Sequence, residues 1–257
     1  MFPNAHVRVL KFLGTTRGTG ARLALDEDAD FRVEGPIPAV ISRAASIVED
    51  LMPVRRALGH EGLFVGEPIV PREAWLEGLV NAVVHRSYSI AGDSIRVEIY
   101  EDRIEIVSPG RFPGLADLTK PLDVVRYARN PRIARVCADL RITQELGEGI
   151  HRIFDEMRSR GLEDPLYEQG SSHVRLTLSS RQRLNDQVAG NLAVAAREML
   201  RDIRRAARPV TTGDVVEITG RSRPTVLKHL NVLREVGLIK WVGTNSNDPT
   251  ATWEPTD

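Results

Sequence analysis

Between Glu73 and Tyr88 the chain reads EAWLEGLVNAVVHRSY, and within that stretch Glu77, Asn81 and His85 stand four residues apart. On a helix, residues at this spacing stack along one line of the surface. A carboxamide oxygen in such a line is a hard, neutral ligand suited to Mg2+, an ion that keeps several waters and takes the rest of its shell from phosphates. A carboxylate one turn earlier could orient or deprotonate a water. The trio therefore fits a nucleotide-metal site. It also fits the wet side of an ordinary amphipathic helix. Asn argues for the first, because its amide competes with the backbone for hydrogen bonds and makes it a poor helix-interior residue.

The elements around this stretch would have to hold it in place. Leu76, Leu79, Val80, Val83 and Val84 form a broad apolar side, as expected for a helix lying on a sheet, and Pro71 fits just ahead of it. Two alternating runs follow, Ser94 to Tyr100 and Arg103 to Ser108. Only Glu101 and Asp102 separate them, which predicts an antiparallel hairpin with Ile95, Val97, Ile99, Ile104 and Ile106 inward. Arg96, Glu98 and Glu105 would then face solvent or the opposite layer. Next comes SPGRFPG, Ser108 to Gly114, a shaped loop at a strand end where ligands commonly approach backbone. Asn130 to Leu140 and Ile150 to Arg160 read as helices. The second follows LGEGI, a glycine-flanked start whose free N–H groups and dipole suit phosphate, although glycines also serve there as plain turns. His173 to Leu178 alternates as a strand. Upstream, Val7 to Phe12 reads as a strand, Gly14 to Gly20 as a turn-rich break, Asp26 to Asp30 as a solvated acidic loop, and Ala39 to Met52 as a helix ended by Pro53. Leu63 to Pro71 looks extended.

The 257 residues are 42% hydrophobic and 27% charged, with a formal net charge of zero. That length accommodates one large domain or two ordinary ones. Apolar runs fall far short of the ~20 residues that span a bilayer. The N-terminus lacks the charged start and apolar core of a signal peptide. A single cysteine, Cys137, excludes an internal disulfide and a multi-cysteine metal site, and its run IARVCADL reads as a helix that buries it. No membrane partner and a cytoplasmic location are the expectation. Charge is uneven, however. From Arg201 to Trp241 nine basic residues face four acidic ones, a local net of +5 that suits a polyanion.

The order of these pieces resembles the GHKL nucleotide-binding fold shared by DNA gyrase, MutL and histidine kinases. It is most similar to the divergent bacterial branch of RecG-like or Schlafen/AlbA-type transcriptional regulators. EGLVNAVVHRSY (77 to 88), DSIRVEIYEDRIEIVSPGRFPG (93 to 114), RNPRIARV (129 to 136) and ELGEGIHRIFDEMRSRGL (145 to 162) carry the likeness. The resemblance implies ATP and Mg2+ as cofactors, with Asn81 as the Mg2+ ligand and Glu77 as the water-orienting, catalytic carboxylate. It places His85 and Arg86 near the phosphates, Gly110 and Gly114 in the loop passing the adenine, and Gly147 and Gly149 in the lid beside the triphosphate. Ser108 stands where the family carries an Asp for the adenine amino group. A neutral hydroxyl accepts more weakly, and forgoing one charged hydrogen bond of about 1.5 to 3 kcal/mol weakens binding about ten- to a hundred-fold. Relatives usually carry an AlbA-like domain before this region, and residue 1 falls close to where that domain would end.

The C-terminal segment RPVTTGDVVEITGRSRPTVLKHLNVLREVGLIKWVG resembles a winged helix of the bacterial regulator type. Thr212 would cap a short helix to Thr219, Gly220 to Ser222 would turn, and Ser222 would cap a second helix that buries Val226, Leu227, Leu230 and Leu233. Leu238 to Val242 and Thr250 to Glu254 would form the wing. The likeness places Arg223, Thr225, Lys228 and His229 at the major groove of double-stranded DNA and Arg221 and Ser222 near phosphate. Winged helices also serve as dimerisation or protein-contact modules.

The expected fold is therefore α+β: a two-layer GHKL-like α/β sandwich over residues 1–180, a linker over 181–196, and a small winged-helix domain over 197–257. The expected function is a DNA-binding transcriptional regulator, with a homodimer expected from the two-fold symmetry of operators. The alternatives are a Mg2+-dependent ATPase coupling nucleotide to DNA or a partner, and a nucleotide-free scaffold. No GxxxxGK[ST] pattern occurs, so a helicase motor is not expected.

Overall fold

A computed structural model describes residues 4–20, 23–58, 63–112, 120–123, 128–143, 148–183, 192–206, 208–243 and 251–256. The chain divides into two compact units, Met1–Arg183 and Leu184–Asp257. Residues 184–191 of the expected linker, residues 244–250, Gly114 and Gly147 lie outside the described residues.

In the first unit the strands and helices run β1 (Val7–Phe12), β2 (Leu25–Val33), α1 (Ile37–Leu51), β3 (Val54–Leu58), β4 (Phe64–Pro68), α2 (Arg72–His85), β5 (Ile95–Ile99) and β6 (Arg103–Pro109). A 3-10 turn at Pro121–Asp123 precedes α3 (Pro131–Asp139), α4 (Gly149–Ser159), β7 (Leu166–Gln169) and β8 (His173–Ser179). Six strands pair in the order β2-β1-β5-β6-β8-β7; β1 is parallel to β5 and every other neighbour is antiparallel. Among the described residues β3 and β4 pair with each other and with no other strand.

Alternation sorts the sheet into two faces. Val7, Val9, Ile95, Val97, Ile99, Ile104, Ile106, Leu176 and Leu178 share one buried cluster with residues of α1, α2 and α4, so the helices form a second layer on that side. α2 lies especially close. A Cβ added at Gly78, in its middle, would come within 2.7 Å of Leu176 Cδ2 and 2.9 Å of Ile106 Cδ1.

On the outer face, Glu98 and Glu105 sit directly opposite each other across β5 and β6. Expected to face solvent or another layer, they are only 1% and 6% exposed, because arginines lie over them. Arg17 and Arg96 pair with Glu98, and Arg103 and Arg175 with Glu105. Tyr100 donates its hydroxyl to Glu98 at 3.0 Å and stacks on Phe12, with ring centroids 5.0 Å apart.

Asp26 to Asp30, expected as a loop, is instead part of β2. Its partner is β1, with Asp30 opposite Leu10 and accepting from Arg8 at 2.5 and 2.8 Å. Ala29 and Val33 are its buried positions, too few among acids to show a strand period.

The second unit contains α5 (Val194–Arg205), β9 (Val210–Thr211), α6 (Thr212–Thr219), α7 (Arg223–Glu235), β10 (Ile239–Val242) and β11 (Thr252–Pro255). Its three strands pair in the order β10-β11-β9 and cover a core containing Met199, Leu200, Ile203, Val215, Val226, Leu230, Leu233 and Trp253. The cap of α6 is Thr211, one residue before the expected Thr212. Thr211 accepts from the Asp214 N–H at 3.1 Å while the Asp214 carboxylate accepts from the Thr211 N–H at 2.7 Å, a reciprocal capping box. Arg208, the Thr211 N–H and the Thr211 hydroxyl, which donates to the carboxylate at 2.9 Å, hold the Asp214 carboxyl down at about 2. Thr212 uses its hydroxyl to accept from Trp253 Nε1 at 3.0 Å. Leu227, expected inward, is 37% exposed, since α7 buries Val226, Leu230 and Leu233 along a narrower stripe.

Replacing Gly78 by Ala tests the close approach of α2. Ala is the better helix former by about 1 kcal/mol, yet overpacking should lower stability by about 1 to 3 kcal/mol net. Urea unfolding followed by far-UV circular dichroism would show this; a stabilised variant would mean that the sheet yields easily.

Candidate nucleotide cleft and DNA-binding surface

Helix α2 carries the sequence trio past the start of α4. Asn81 Nδ2 donates to Glu77 Oε1 at 3.2 Å, and Arg152 Nη1 of α4 donates to Glu77 Oε2 at 3.0 Å. With its nitrogen turned to Glu77, Asn81 keeps Oδ1 for a cation. The start of α4 closes on the same place. A Cβ at Gly149 would collide with Glu77 Oε1 and come within 3.1 Å of Asn81 Nδ2. Only glycine leaves that approach open. The structure thus brings Glu77, Asn81 and Gly149 together.

His85, one turn further, is largely buried with Nδ1 unpartnered. Burial, and secondarily the charge of Arg129, lower its pKa from 6.5, so the ring is neutral at pH 7. Arg86, expected beside the phosphates, is instead 3% exposed and donates to the carbonyls of Asn4 at 2.9 Å and Asp93 at 3.0 Å. It also stacks its guanidinium 5.2 Å from the Tyr88 ring centre. Its work is to anchor the chain after α2. Ser108 donates its hydroxyl to the Ala82 carbonyl at 3.1 Å, so it ties β6 to α2 and can offer a ligand only its acceptor lone pairs. Gly110 has φ +113°, and a Cβ there would fall 2.9 Å from Ser87 Cβ. Its N–H donates to Ser172 O at 2.7 Å.

Three neighbours were not singled out from sequence. Asn130 Nδ2 donates to both Val84 O and Arg86 O at 2.9 Å, capping the end of α2 from the start of α3. Its signal was the Asn-Pro step that opens a helix. Tyr167 on β7 is half-buried near Glu77; desolvation, then the Glu77 charge, raise its pKa, which keeps the phenol protonated. Its ring meets Phe112 edge-on at 5.7 Å, and nothing local in sequence marks that contact. Arg152 carried the signal of lying three residues after Gly149.

Mg2+ fits this set as a phosphate-borne ion. Among the described residues no three His, Cys, Asp or Glu groups cluster as metal ligands, so a cation on Asn81 would draw most of its shell from phosphate and water.

In the second unit, α6 and α7 meet at Gly220, whose φ of +63° gives the left-handed turn. Ser222 occupies the N-cap position of α7, but instead of the expected cap bond to backbone its hydroxyl pairs with that of Thr225 at 2.8 Å. Arg223, Lys228, Asn231 and Arg234 are exposed along α7, whereas Thr225 and His229 are half-buried. Arg221 is ion-paired with Glu198 of α5 at 2.7 Å. Asn231, eight residues after Arg223, belongs to the exposed face and escaped the sequence-based set.

Residues 92–178 match the family described as "Putative ATP-dependent DNA helicase recG C-terminal", and residues 195–241 match the one described as "Helix-turn-helix domain". The chain carries a RecG-like C-terminal ATPase-type domain followed by a helix-turn-helix domain. The first match begins after α2, so Glu77, Asn81 and His85 precede it. No curated protein matches the chain. Among solved structures, it is similar in fold to the crystal structure of the DIP2311 protein from Corynebacterium diphtheriae, at 19% identity and a TM-score of 0.57. That match covers 99% of this chain and 52% of the other, so this chain spans about half the length of that relative. Among the described residues no helix is long and apolar enough to cross a membrane.

The lowered pKa of His85 sets a pH dependence. Below about pH 6.5 the unfolded chain takes up a proton that folded His85 refuses. Its share of stability is therefore intact above that pH and declines as pH falls toward the depressed folded value. Urea unfolding at pH 7.5 and 5.5 should show a smaller acid loss for His85→Gln than for wild type. His6, also lowered chiefly by burial, retains its own share in that variant.

Proposed function

We propose that this chain is a DNA-binding transcriptional regulator whose first unit, of GHKL type, binds a nucleotide with Mg2+ in the cleft between α2 and the start of α4. The convergence of Gly149 on Glu77 and Asn81 carries this proposal. A helix start offers free N–H groups and a positive dipole end to phosphate, while Asn81 Oδ1 offers a neutral ligand to the accompanying ion. The cleft is pre-shaped for an anion and cation that arrive together. In this reading the loop after β6 that carries Gly110 and Phe112 is the side offered to a purine.

α7 is the DNA-reading helix in this proposal. Arg223 and Lys228 stand on its exposed side with Asn231, a residue type that reads adenine edges bidentately. Arg221, tied to Glu198, serves phosphate only after leaving that pair. The regulator acts in the cytoplasm as a homodimer, since two-fold operators call for two copies of a winged helix. The wing pairs β10 with β11 beside α7.

A Mg2+-dependent ATPase is the second reading, favoured by Glu77 lying one turn from Asn81 where a carboxylate can orient water.

Calorimetric titration with ATP, with and without Mg2+, tests the cleft. Mg2+-dependent binding should weaken at least about ten-fold in Asn81→Ala, and Gly149→Ala should abolish it with little loss of stability, because the added methyl displaces the flexible end of Glu77. No binding at millimolar ATP would refute the nucleotide site. For DNA, fluorescence anisotropy with a labelled duplex should show weaker binding by the double variant Arg223→Ala, Lys228→Ala. Its salt slope should be shallower by about one unit for each phosphate that the variant no longer neutralises. An unchanged affinity and slope would exclude this face.

A further inference from the structure

Glu77 receives one donor on each carboxylate oxygen, Asn81 on Oε1 and Arg152 on Oε2. The Arg152 side chain is 38% exposed while that of Glu77 is 18% exposed. The pair therefore sits at the cleft rim, with the cation on the open side and the carboxylate behind it. Arg152 also borders an open hollow with Glu148, His151, Asp155 and Glu156. Guanidinium binds carboxylate and phosphate with the same planar fork, which makes the two anions competitors for it.

We propose that Arg152 is a two-position switch in the nucleotide cleft. With the cleft empty it holds Glu77; the polyphosphate of a nucleoside triphosphate draws the guanidinium onto itself and frees the carboxylate to face water or the metal's shell. The switch rests on the cleft being a nucleotide site. It gives Arg152 a role that a plain clamp between α2 and α4 would lack. Because Glu77 and phosphate compete for one cation, removing the carboxylate charge strengthens nucleotide binding, removing the guanidinium weakens it, and the two changes are not independent.

The test is calorimetric titration of ATP and of adenosine, with Mg2+, against wild type, Glu77→Gln, Arg152→Gln and the double variant. Arg152→Gln should weaken ATP about ten- to a hundred-fold and leave adenosine unchanged. Glu77→Gln should tighten ATP about two- to five-fold, the scale of one rim ion pair, and the double variant should show no such gain. Equal effects of Arg152→Gln on ATP and adenosine would reduce Arg152 to a clamp and overturn the switch. So would a Glu77→Gln gain that survives without Arg152, or no gain at all. Should Arg152→Gln fail to fold, Arg152→Lys replaces it: an ammonium keeps the charge and loses the fork, so ATP alone should weaken. If no form binds ATP at millimolar concentration, Glu77→Gln included, the nucleotide site itself is refuted and the switch goes with it.

Discussion

The absence of a side chain at Gly78 fixes how near α2 lies to the sheet, and the geometry of the proposed nucleotide cleft follows from that distance. A methyl there would press on Leu176 and Ile106, so either those side chains or the helix would have to shift. Glu77 is the preceding residue and Asn81 the next but two, so both ride on the seated segment. Asn130 secures the far end by bonding the carbonyls of Val84 and Arg86, and Arg86 ties the following chain to residues 4 and 93. The functional line is thus held by packing in its middle and by hydrogen bonds at its end. Helix propensity contributes little to a stretch that contains both a glycine and an asparagine.

Much of this was legible in the sequence because it rests on periodicity. The β5–β6 hairpin, α2, α4 and the two helices of the winged unit each bury residues at strand or helix spacing, and these are the elements that carry the proposed cleft and the proposed DNA-reading face. Less legible were elements whose partners supply the order. β2 hides its two buried positions among acids and exists through β1. β3 and β7 are short and lack a clear alternation. The side chains misjudged failed for related reasons. Arg86 looks like a surface cation until the carbonyls around it are seen. Leu227 looks like core because hydrophobic type does not by itself decide which way a helix faces. Arg152 and Tyr167 reach Glu77 from other elements, and no local pattern records a meeting across the fold.

The outer face of the sheet poses a separate electrostatic problem. Like charges directly opposite on neighbouring strands repel, and Glu98 and Glu105 are nearly buried as well. Their compensation comes from four arginines on different segments, with Tyr100 adding a hydroxyl to Glu98. Buried ion pairs add little stability over an apolar replacement, but breaking one partner away is costly. Residues 14–17 belong to this arrangement: Arg17 reaches Glu98, Thr15 accepts from Arg103, and the Gly14 carbonyl accepts from the Glu101 N–H. The chain leaving β1 is thereby tied to the β5–β6 hairpin.

The parallel pairing of β1 with β5 sets the order in which the sheet can be completed. β1 finds β2 soon after synthesis, but Val7 must wait for Ile95 before its other side is filled. During that interval a two-stranded ribbon stands with an unpaired inner edge, the condition under which nascent strands recruit the wrong neighbour. Arg8 and Lys11 lie along that edge, and the acids of β2 guard the opposite one. The charges that obscure these strands in the sequence are therefore well placed to protect the newly made chain until β5 arrives.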